Sequence, residues 1–257
     1  MITDAPVGAA IDAWLRAWRA RGGRVVEAVS EALEDADRGY LAAPLHARSA
    51  LPAWRCAAMD GIAVRSAECA APIAAGAYER VDTGQPVAAS FDAVVPWERV
   101  SYGIDDAATV AGDVATGANV REAGEEVAEG TLLLLAGALL TPERLALAAA
   151  CGHGRVHVRR PRVVVVPTGD EVRPAGSLLE PGEVADSNSV MLALLACDRG
   201  AVVERRGIIP DDPPTLAAAV RDAAASADLV CVIAGSARGG RDHTRAEIGR
   251  ASCRERV

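Results

Sequence analysis

The segment "RVVVVPTG", residues 162–169, decides the fold of this chain. A continuous β-branched run is typical of a strand that is buried on both faces of a sheet. Helix and strand patterns then alternate with short links through residues 187–200, 201–209, 211–226 and 227–236. This order predicts a parallel α/β layer with the strand–helix–strand–helix–strand connection, in which Asp212 caps the second helix.

Each predicted strand of this layer is followed by a loop that carries chemically active side chains. The loops are Thr168-Gly169-Asp170-Glu171, Pro210-Asp211-Asp212, and "AGSARGGRD" at residues 234–242. Ligands of parallel sheets bind at the carboxyl ends of the strands, glycines expose N–H groups to phosphate, and carboxylates are hard ligands for Mg²⁺. The loops therefore favour a phosphorylated ligand bound with a metal. Alternatively, the glycine-rich loop is a plain turn and Asp170 bonds only its own turn.

The first half of the chain has a different pattern. Residues 6–20 predict an amphipathic helix, residues 25–36 a second helix, and residues 141–152 a third that begins after Thr141. Between them, residues 44–127 contain short β-rich runs separated by Gly, Pro, Asp and Ser, which predict a small β-rich module. Packing roles are predicted for the four tryptophans, Trp14, Trp18, Trp54 and Trp97.

Composition excludes several classes of protein. The net charge of −8 argues against nucleic acid or an anionic membrane as the main partner. The six cysteines are scattered without a CxxC pair, which disfavours a zinc site or a disulfide framework. The start of the chain has no basic segment of a signal peptide, and its apolar runs are too short to span a bilayer. We therefore expect a soluble, cytoplasmic protein.

Eight motifs, in order along the chain, resemble the molybdopterin molybdenumtransferase family, of the MoeA and gephyrin E-domain type. They are "AAMDGIAV" (57–64), "DTGQPV" (82–87), "DAVVPWE" (92–98), "VREAGEEVAEG" (120–130), "RPRVVVVPTGDEV" (160–172), "ADSN" (185–188), "GIIPDD" (207–212) and "AGSARGGRD" (234–242).

The resemblance implies an α/β multidomain fold. A discontinuous helical domain (1–45 and 128–159) would be interrupted by a β-rich module (46–127) and followed by an incomplete, MogA-like parallel α/β molybdopterin-binding domain (160–246). It also implies an elongated homodimer, in which Asp60 and Thr83 act across the subunit interface. Other proteins of cofactor biosynthesis are expected as further partners.

The activity implied by the resemblance is the Mg²⁺-dependent insertion of molybdate into adenylylated molybdopterin with release of AMP. Residues implied to be catalytic are Asp60, Thr83, Glu126, Glu171, Asp211 and Asp242, of which Asp211 and Asp242 would hold Mg²⁺. Residues implied to bind the molybdopterin substrate are Thr168, Gly169, Asp170, Ser187, Asn188, Gly235, Ser236, Gly239 and Gly240.

Alternatives accompany these assignments. Taken without the family, Asp60 and Thr83 are ordinary turn residues, and Glu126, where the family usually has Asp, is a solvated surface charge. The last loop also departs from the family's usual Gly-Gly-Val-Ser. The rival function is a non-catalytic module that senses molybdopterin or molybdate within a larger fusion protein.

The final segment "IGRASCRERV", residues 248–257, matches the translation of a sequencing-library adapter. We therefore expect native sequence to end near Ala246 and residues 247–257 to be an adapter-derived tail, the alternative being a natural basic tail. Because the family continues further, the chain is expected to be a poor enzyme.

Overall fold

The structure is a computed structural model that describes residues 6–20, 23 and 25–233. The chain forms two compact units. The first unit combines Met1–Glu31, Ala36–Ala42 and His157–Val257, and the second combines Ala32–Asp35 and Ala43–Val156. The three domains expected from the sequence, with limits 1–45 and 128–159, 46–127 and 160–246, stay a prediction.

The helices in the described part of the chain are α1 (Val7–Ala20), α2 (Pro142–Ala150), α3 (Asn188–Asp198) and α4 (Pro213–Ser226). The strands are β1 (Ala28–Ala32), β2 (Tyr40–Leu41), β3 (Leu45–His46), β4 (Cys56–Ala57), β5 (Gly61–Val64), β6 (Glu79–Val81), β7 (Ala93–Pro96), β8 (Val100–Tyr102), β9 (Ala108–Val110), β10 (Val120–Arg121), β11 (Leu132–Leu134), β12 (Arg155–Arg159), β13 (Arg162–Pro167), β14 (Val172–Arg173), β15 (Val184–Ala185), β16 (Val202–Arg205) and β17 (Leu229–Ile233). Across residues 6–20, 23 and 25–233, no helix has the length and apolarity that crossing a bilayer requires.

The first unit contains the parallel layer predicted from the sequence. Strand β13 lies in the centre and pairs in parallel with β16 on one side and β17 on the other. Its residues Val163–Pro167 are buried, as expected for a strand covered on both faces. Helix α4 begins as predicted, because the Asp212 carboxylate accepts a hydrogen bond from the N–H of Thr215 (3.0 Å).

The second unit is built around an antiparallel sheet in which β5 lies between β6 and β7. All four residues of β5 are buried, because apolar clusters cover both of its faces. Ile62 and Val64 face one cluster, and Ala63 faces the other. Helix α2 of this unit begins after Thr141, whose side chain caps it as predicted.

The prediction of a helix over residues 25–36 is wrong. The segment forms strand β1, which joins β12 and β2 in a three-stranded sheet, and then a 3-10 turn over Leu33–Asp35. Its Glu and Ala residues favour a helix, but pairing with distant strands overrides that weak local preference. An ion pair between Glu31 and Arg160 (2.9 Å), which are 129 residues apart in the chain, accompanies this arrangement.

The prediction that the tryptophans are packing residues is also wrong for this chain by itself. All four are exposed, with exposed fractions between 37% for Trp97 and 55% for Trp14 and Trp54. Trp14 and Trp18 belong to α1, which has no buried residue. The apolar side that makes α1 amphipathic is therefore open to contact with another surface.

Candidate functional site

Three strand ends meet at the carboxyl edge of the parallel sheet. Thr168, directly after β13, is 1% exposed and donates from both its N–H (3.0 Å) and its hydroxyl (2.9 Å) to the carbonyl of Ile233. On its other side, Thr168 forms a parallel bridge with Ile209, and the N–H of Gly169 donates to the Ile209 carbonyl (3.0 Å). Thr168 and Gly169, both predicted ligand-binding residues, therefore hold the neighbouring strand ends together.

The turn that follows brings two predicted carboxylate residues together. The Asp170 carboxylate accepts a hydrogen bond from the backbone N–H of Asp211 (3.1 Å). Gly169 has a φ of +132°, and a Cβ added there would lie 3.0 Å from the Glu171 carboxylate. Glycine at this position thus leaves room for the Glu171 side chain to fold back over the turn.

A cavity of about 140 Å³ lies beside this turn. Four predicted site residues line it: Thr168, Glu171, Ser187 and Asn188. The last two begin helix α3, whose N-terminus presents backbone N–H groups that favour an anionic ligand. The cavity is thus lined by two acidic residues, Glu171 and Asp186, as well as by the start of α3.

The residue that orders the start of α3 is Asp186, which was not predicted as a site residue. Its carboxylate is buried and accepts hydrogen bonds from the N–H (3.1 Å) and the hydroxyl of Ser189. Because Asp186 performs the capping, the side chains of Ser187 and Asn188 have no hydrogen-bond partner among the described residues. The signal available in the sequence was the Asp-x-x-Ser spacing at residues 186–189.

Asp60 and Thr83, from two predicted motifs of the second unit, contact each other directly. One Asp60 carboxylate oxygen accepts hydrogen bonds from both the Thr83 hydroxyl (2.7 Å) and the Thr83 N–H (2.6 Å). The hydroxyl, and next the N–H, holds the pKa of the exposed Asp60 carboxyl below its usual value. Asp60 is therefore an ionised, oriented carboxylate at neutral pH.

Replacing Thr83 with Val should raise the pKa of Asp60 only part of the way to its usual value, because the Thr83 N–H still donates. The lowered pKa stabilises the fold above about pH 4, and this stabilisation is lost as acid protonates Asp60. The variant should therefore lose less stability on acidification than the wild type. Carboxyl-carbon NMR titration of Asp60 measures the shift, and Thr83→Ser, which keeps the hydroxyl, is the control. An unchanged Asp60 midpoint in Thr83→Val would contradict this pairing.

Glu126, the third predicted residue of the second unit, forms an ion pair with Arg121 and is about half exposed. Arg121 also pairs with Glu125 (2.7 Å), so the two carboxylates share one guanidinium. Asp60, Thr83 and Glu126 belong to one unit, and the predicted residues from 168 onward belong to the other. Gly235, Ser236, Gly239, Gly240 and Asp242 lie outside the described residues, as does the expected adapter-derived tail.

The predicted magnesium site depends on carboxylate ligands. Over residues 6–20, 23 and 25–233, no group of three or more His, Cys, Asp or Glu residues is placed to hold a metal ion. Mg²⁺ commonly binds through one or two carboxylates together with substrate phosphates and water, so a full protein cage is not required. Asp211 offers oxygen ligands of the right kind, and its predicted partner Asp242 lies outside the described residues.

A larger cavity of about 810 Å³ lies at the opposite edge of the same sheet. Arg162 and Val202, at the amino ends of β13 and β16, are part of its wall, as is the ion pair of Arg160 with Glu31. Of the predicted site residues that the structure describes, none lines it. Because ligands of parallel sheets bind at the carboxyl edge, we assign the candidate site to the smaller cavity.

Two family profiles match this chain. The sequence profile of the MoeA N-terminal region (domain I and II) matches residues 6–152. The chain belongs to the MoeA family. A second profile, described as a probable molybdopterin binding domain, matches residues 164–256. This part of the MoeA-family chain contains both the carboxyl edge of the sheet and the smaller cavity.

Two curated relatives are both named molybdopterin molybdenumtransferases. The chain is 34% identical over 240 residues to molybdopterin molybdenumtransferase 2 of Mycobacterium tuberculosis, covering 84% of this chain and 58% of the relative. It is also 34% identical over 212 residues to molybdopterin molybdenumtransferase of Synechococcus elongatus, covering 72% of this chain and 52% of the relative. The chain thus spans somewhat more than half the length of these MoeA-family proteins.

The solved structures confirm the predicted fold class. The molybdopterin biosynthesis MoeA protein of Pyrococcus horikoshii superposes with a TM-score of 0.73 at 23% identity, covering 96% of this chain and 67% of that protein. The multidomain α/β fold expected of a MoeA-family protein is therefore present.

Proposed function

We propose that this chain belongs to an enzyme that inserts molybdate into adenylylated molybdopterin, with Mg²⁺ and release of AMP. Its relatives are named molybdopterin molybdenumtransferases. The observation that carries the proposal is the carboxyl edge of the sheet, where the Asp170–Asp211 contact and the cavity lined by Glu171, Ser187 and Asn188 lie within the region of the molybdopterin-binding profile.

The side chains of this site support roles in binding a phosphorylated pterin. Ser187 and Asn188, at the N-terminus of α3, have side chains without a hydrogen-bond partner in the described part of the chain, and both can donate to an anionic group. Glu171, on the facing wall, would repel that anion unless a cation lay between them. Asp211, with Asp242, would hold Mg²⁺, which neutralises phosphate charge when bound. Asp60, Thr83 and Glu126 complete the proposed catalytic set.

A homodimer is part of the proposal. The observation in its favour is helix α1, on which Ile11 (52%), Trp14 (55%) and Trp18 (41%) are exposed. An apolar helical face of this kind is stabilised when it packs against a second surface. The placement of Asp60 and Thr83 across the subunit interface stays a prediction, as do a cytoplasmic location and contacts with other cofactor-biosynthesis proteins.

The proposal is tested by mixing the purified chain with adenylylated molybdopterin, molybdate and Mg²⁺ and measuring ligand binding and AMP release. The binding measurement should show a complex. The double variant Ser187→Ala/Asn188→Ala should bind about 10-fold or more weakly, because two hydrogen bonds to an anion are lost. Glu180→Gln, which changes an exposed carboxylate outside the cavity wall, is the matched control.

The M. tuberculosis relative serves as the positive control for AMP release. Slow, Mg²⁺-dependent AMP release by the chain is the expected result. Binding with no AMP release would favour the sensing role instead. No binding by the chain, with an active relative in the same assay, would refute both functions.

A further inference from the structure

The hydrogen bonding of Asp170 differs from what its predicted role in substrate binding implies. As a residue predicted to bind substrate, it would offer its carboxylate to a ligand. One oxygen of that carboxylate accepts a hydrogen bond from the backbone N–H of Asp211, 41 residues further along the chain. Its own backbone is fixed as well, because the Arg173 guanidinium donates to the Asp170 carbonyl (2.8 Å).

Asp211 lies in a short connection whose two ends are already fixed. Before it, Ile209 donates its N–H to the Pro167 carbonyl (2.9 Å). After it, Asp212 begins α4 as the cap. The bond from the Asp211 N–H to Asp170 joins the middle of this connection to the turn after β13. The backbone conformation at Asp211, from which its side chain extends, therefore depends on a neighbour that is remote in sequence.

We propose that Asp170 is a positioning residue, whose carboxylate oxygen holds the backbone N–H of Asp211 and so directs the Asp211 side chain to its ligand. The nature of that ligand, a divalent cation, rests on the proposed function. The hydrogen bond itself does not. Charged ligands of a cation bind it best when neighbouring groups limit their conformations, and the Asp170 carboxylate holds the backbone N–H of Asp211.

Two substitutions separate a positioning role from direct binding. Asp170→Asn removes the negative charge but keeps a side-chain oxygen that can accept the Asp211 N–H. Asp170→Ala removes both the charge and the acceptor. A positioning residue should tolerate Asn and not Ala, whereas a residue whose charge binds the cation should tolerate neither.

The first measurement is amide hydrogen exchange of Asp211, followed by NMR in the whole metal-free chain. The wild-type amide should be protected, which requires no variant. Protection should persist in Asp170→Asn, and exchange should be about 10-fold faster in Asp170→Ala, as expected for loss of one charge-assisted hydrogen bond. An unprotected wild-type amide, or equal protection in Asp170→Ala, would overturn the proposal.

The second measurement is the affinity of the same chains for Mn²⁺, used as a probe for the divalent site. Affinity should stay within about 3-fold of wild type in Asp170→Asn and fall about 10-fold in Asp170→Ala. If both variants lose the same Mn²⁺ affinity while the Asp211 amide stays protected in Asp170→Asn, the Asp170 carboxylate binds the cation directly. That result would overturn the positioning role. Asp211→Asn, which keeps the N–H, should also weaken Mn²⁺ binding. If it does not, the proposed function of Asp211 fails, while the exchange data still decide whether Asp170 holds its N–H.

Discussion

Replacement of Gly61 with Ala should strongly destabilise the antiparallel sheet of β6, β5 and β7 in the second unit. A Cβ at this position would lie 2.0 Å from the carbonyl oxygen of Val95 and 2.7 Å from its carbonyl carbon. Both atoms belong to the backbone of β7, which pairs with β5, so neither can rotate away. The strands would have to separate within a buried sheet, at a cost of about 3 kcal/mol or more.

Thermal unfolding measures this effect, with an expected fall in Tm of about 10 °C. Gly154→Ala is the matched control in the same unit, because a Cβ at Gly154 meets no atom within 4 Å and its φ is not in the left-handed region. The control should change Tm by less than about 2 °C. Similar Tm values for the two variants would show that the register of β5 against β7 is wrong.

Replacement of Gly169 with Ala should have the largest effect on the candidate site. The new Cβ would lie 2.7 Å from a Val172 methyl group and 3.0 Å from the Glu171 carboxylate, at a φ of +132° that a side chain strongly disfavours. Because Glu171 can move more easily than the backbone, its carboxylate should be displaced from the cavity wall. Affinity for adenylylated molybdopterin should fall about 10-fold or more.

Gly176→Ala is the control for this second prediction, measured by the same ligand titration together with Tm. Gly176 has a φ of +88°, but a Cβ there meets nothing within 4 Å. The Gly176→Ala variant should therefore lose about 1–2 kcal/mol of unfolding free energy through backbone strain and keep its ligand affinity. If Gly169→Ala loses stability but binds normally, the Glu171 carboxylate is not part of the binding site.

The sequence predicted elements whose signals are local. The β-branched run of β13 and the Asp212 cap of α4 each lie within a few residues, and the structure contains both. Strand β1 could not be predicted in this way, because it exists through pairing with strands far along the chain. Its Glu and Ala residues favour the opposite local structure, with a preference of only tenths of a kcal/mol per residue.

In the candidate site, too, local sequence patterns predicted where residues lie but not which distant residues they contact. The alternation of strands and helices placed Thr168, Asp170 and Asp211 at one edge of the sheet, where the structure has them. The separate roles of these carboxylates could not be predicted. The hydrogen-bond partner of Asp170 is 41 residues away and that of Asp60 is 23 residues away, so each pair meets only after folding. Residue type indicates what a carboxylate can do, and its packed neighbours decide which of those roles remains open to it.

The interleaved sheet of β1, β12 and β2 also determines the order in which the chain can be assembled on the ribosome. Leu41 pairs with Val158, so β2 leaves the exit tunnel long before its partner has been translated. At elongation rates of about 5–20 residues per second, that delay is on the order of ten seconds. Residues Ala43–Val156, nearly all of the second unit, emerge within this interval as one continuous segment. The second unit can therefore fold first, and the N-terminal strands of the first must wait for the segment that completes their sheet.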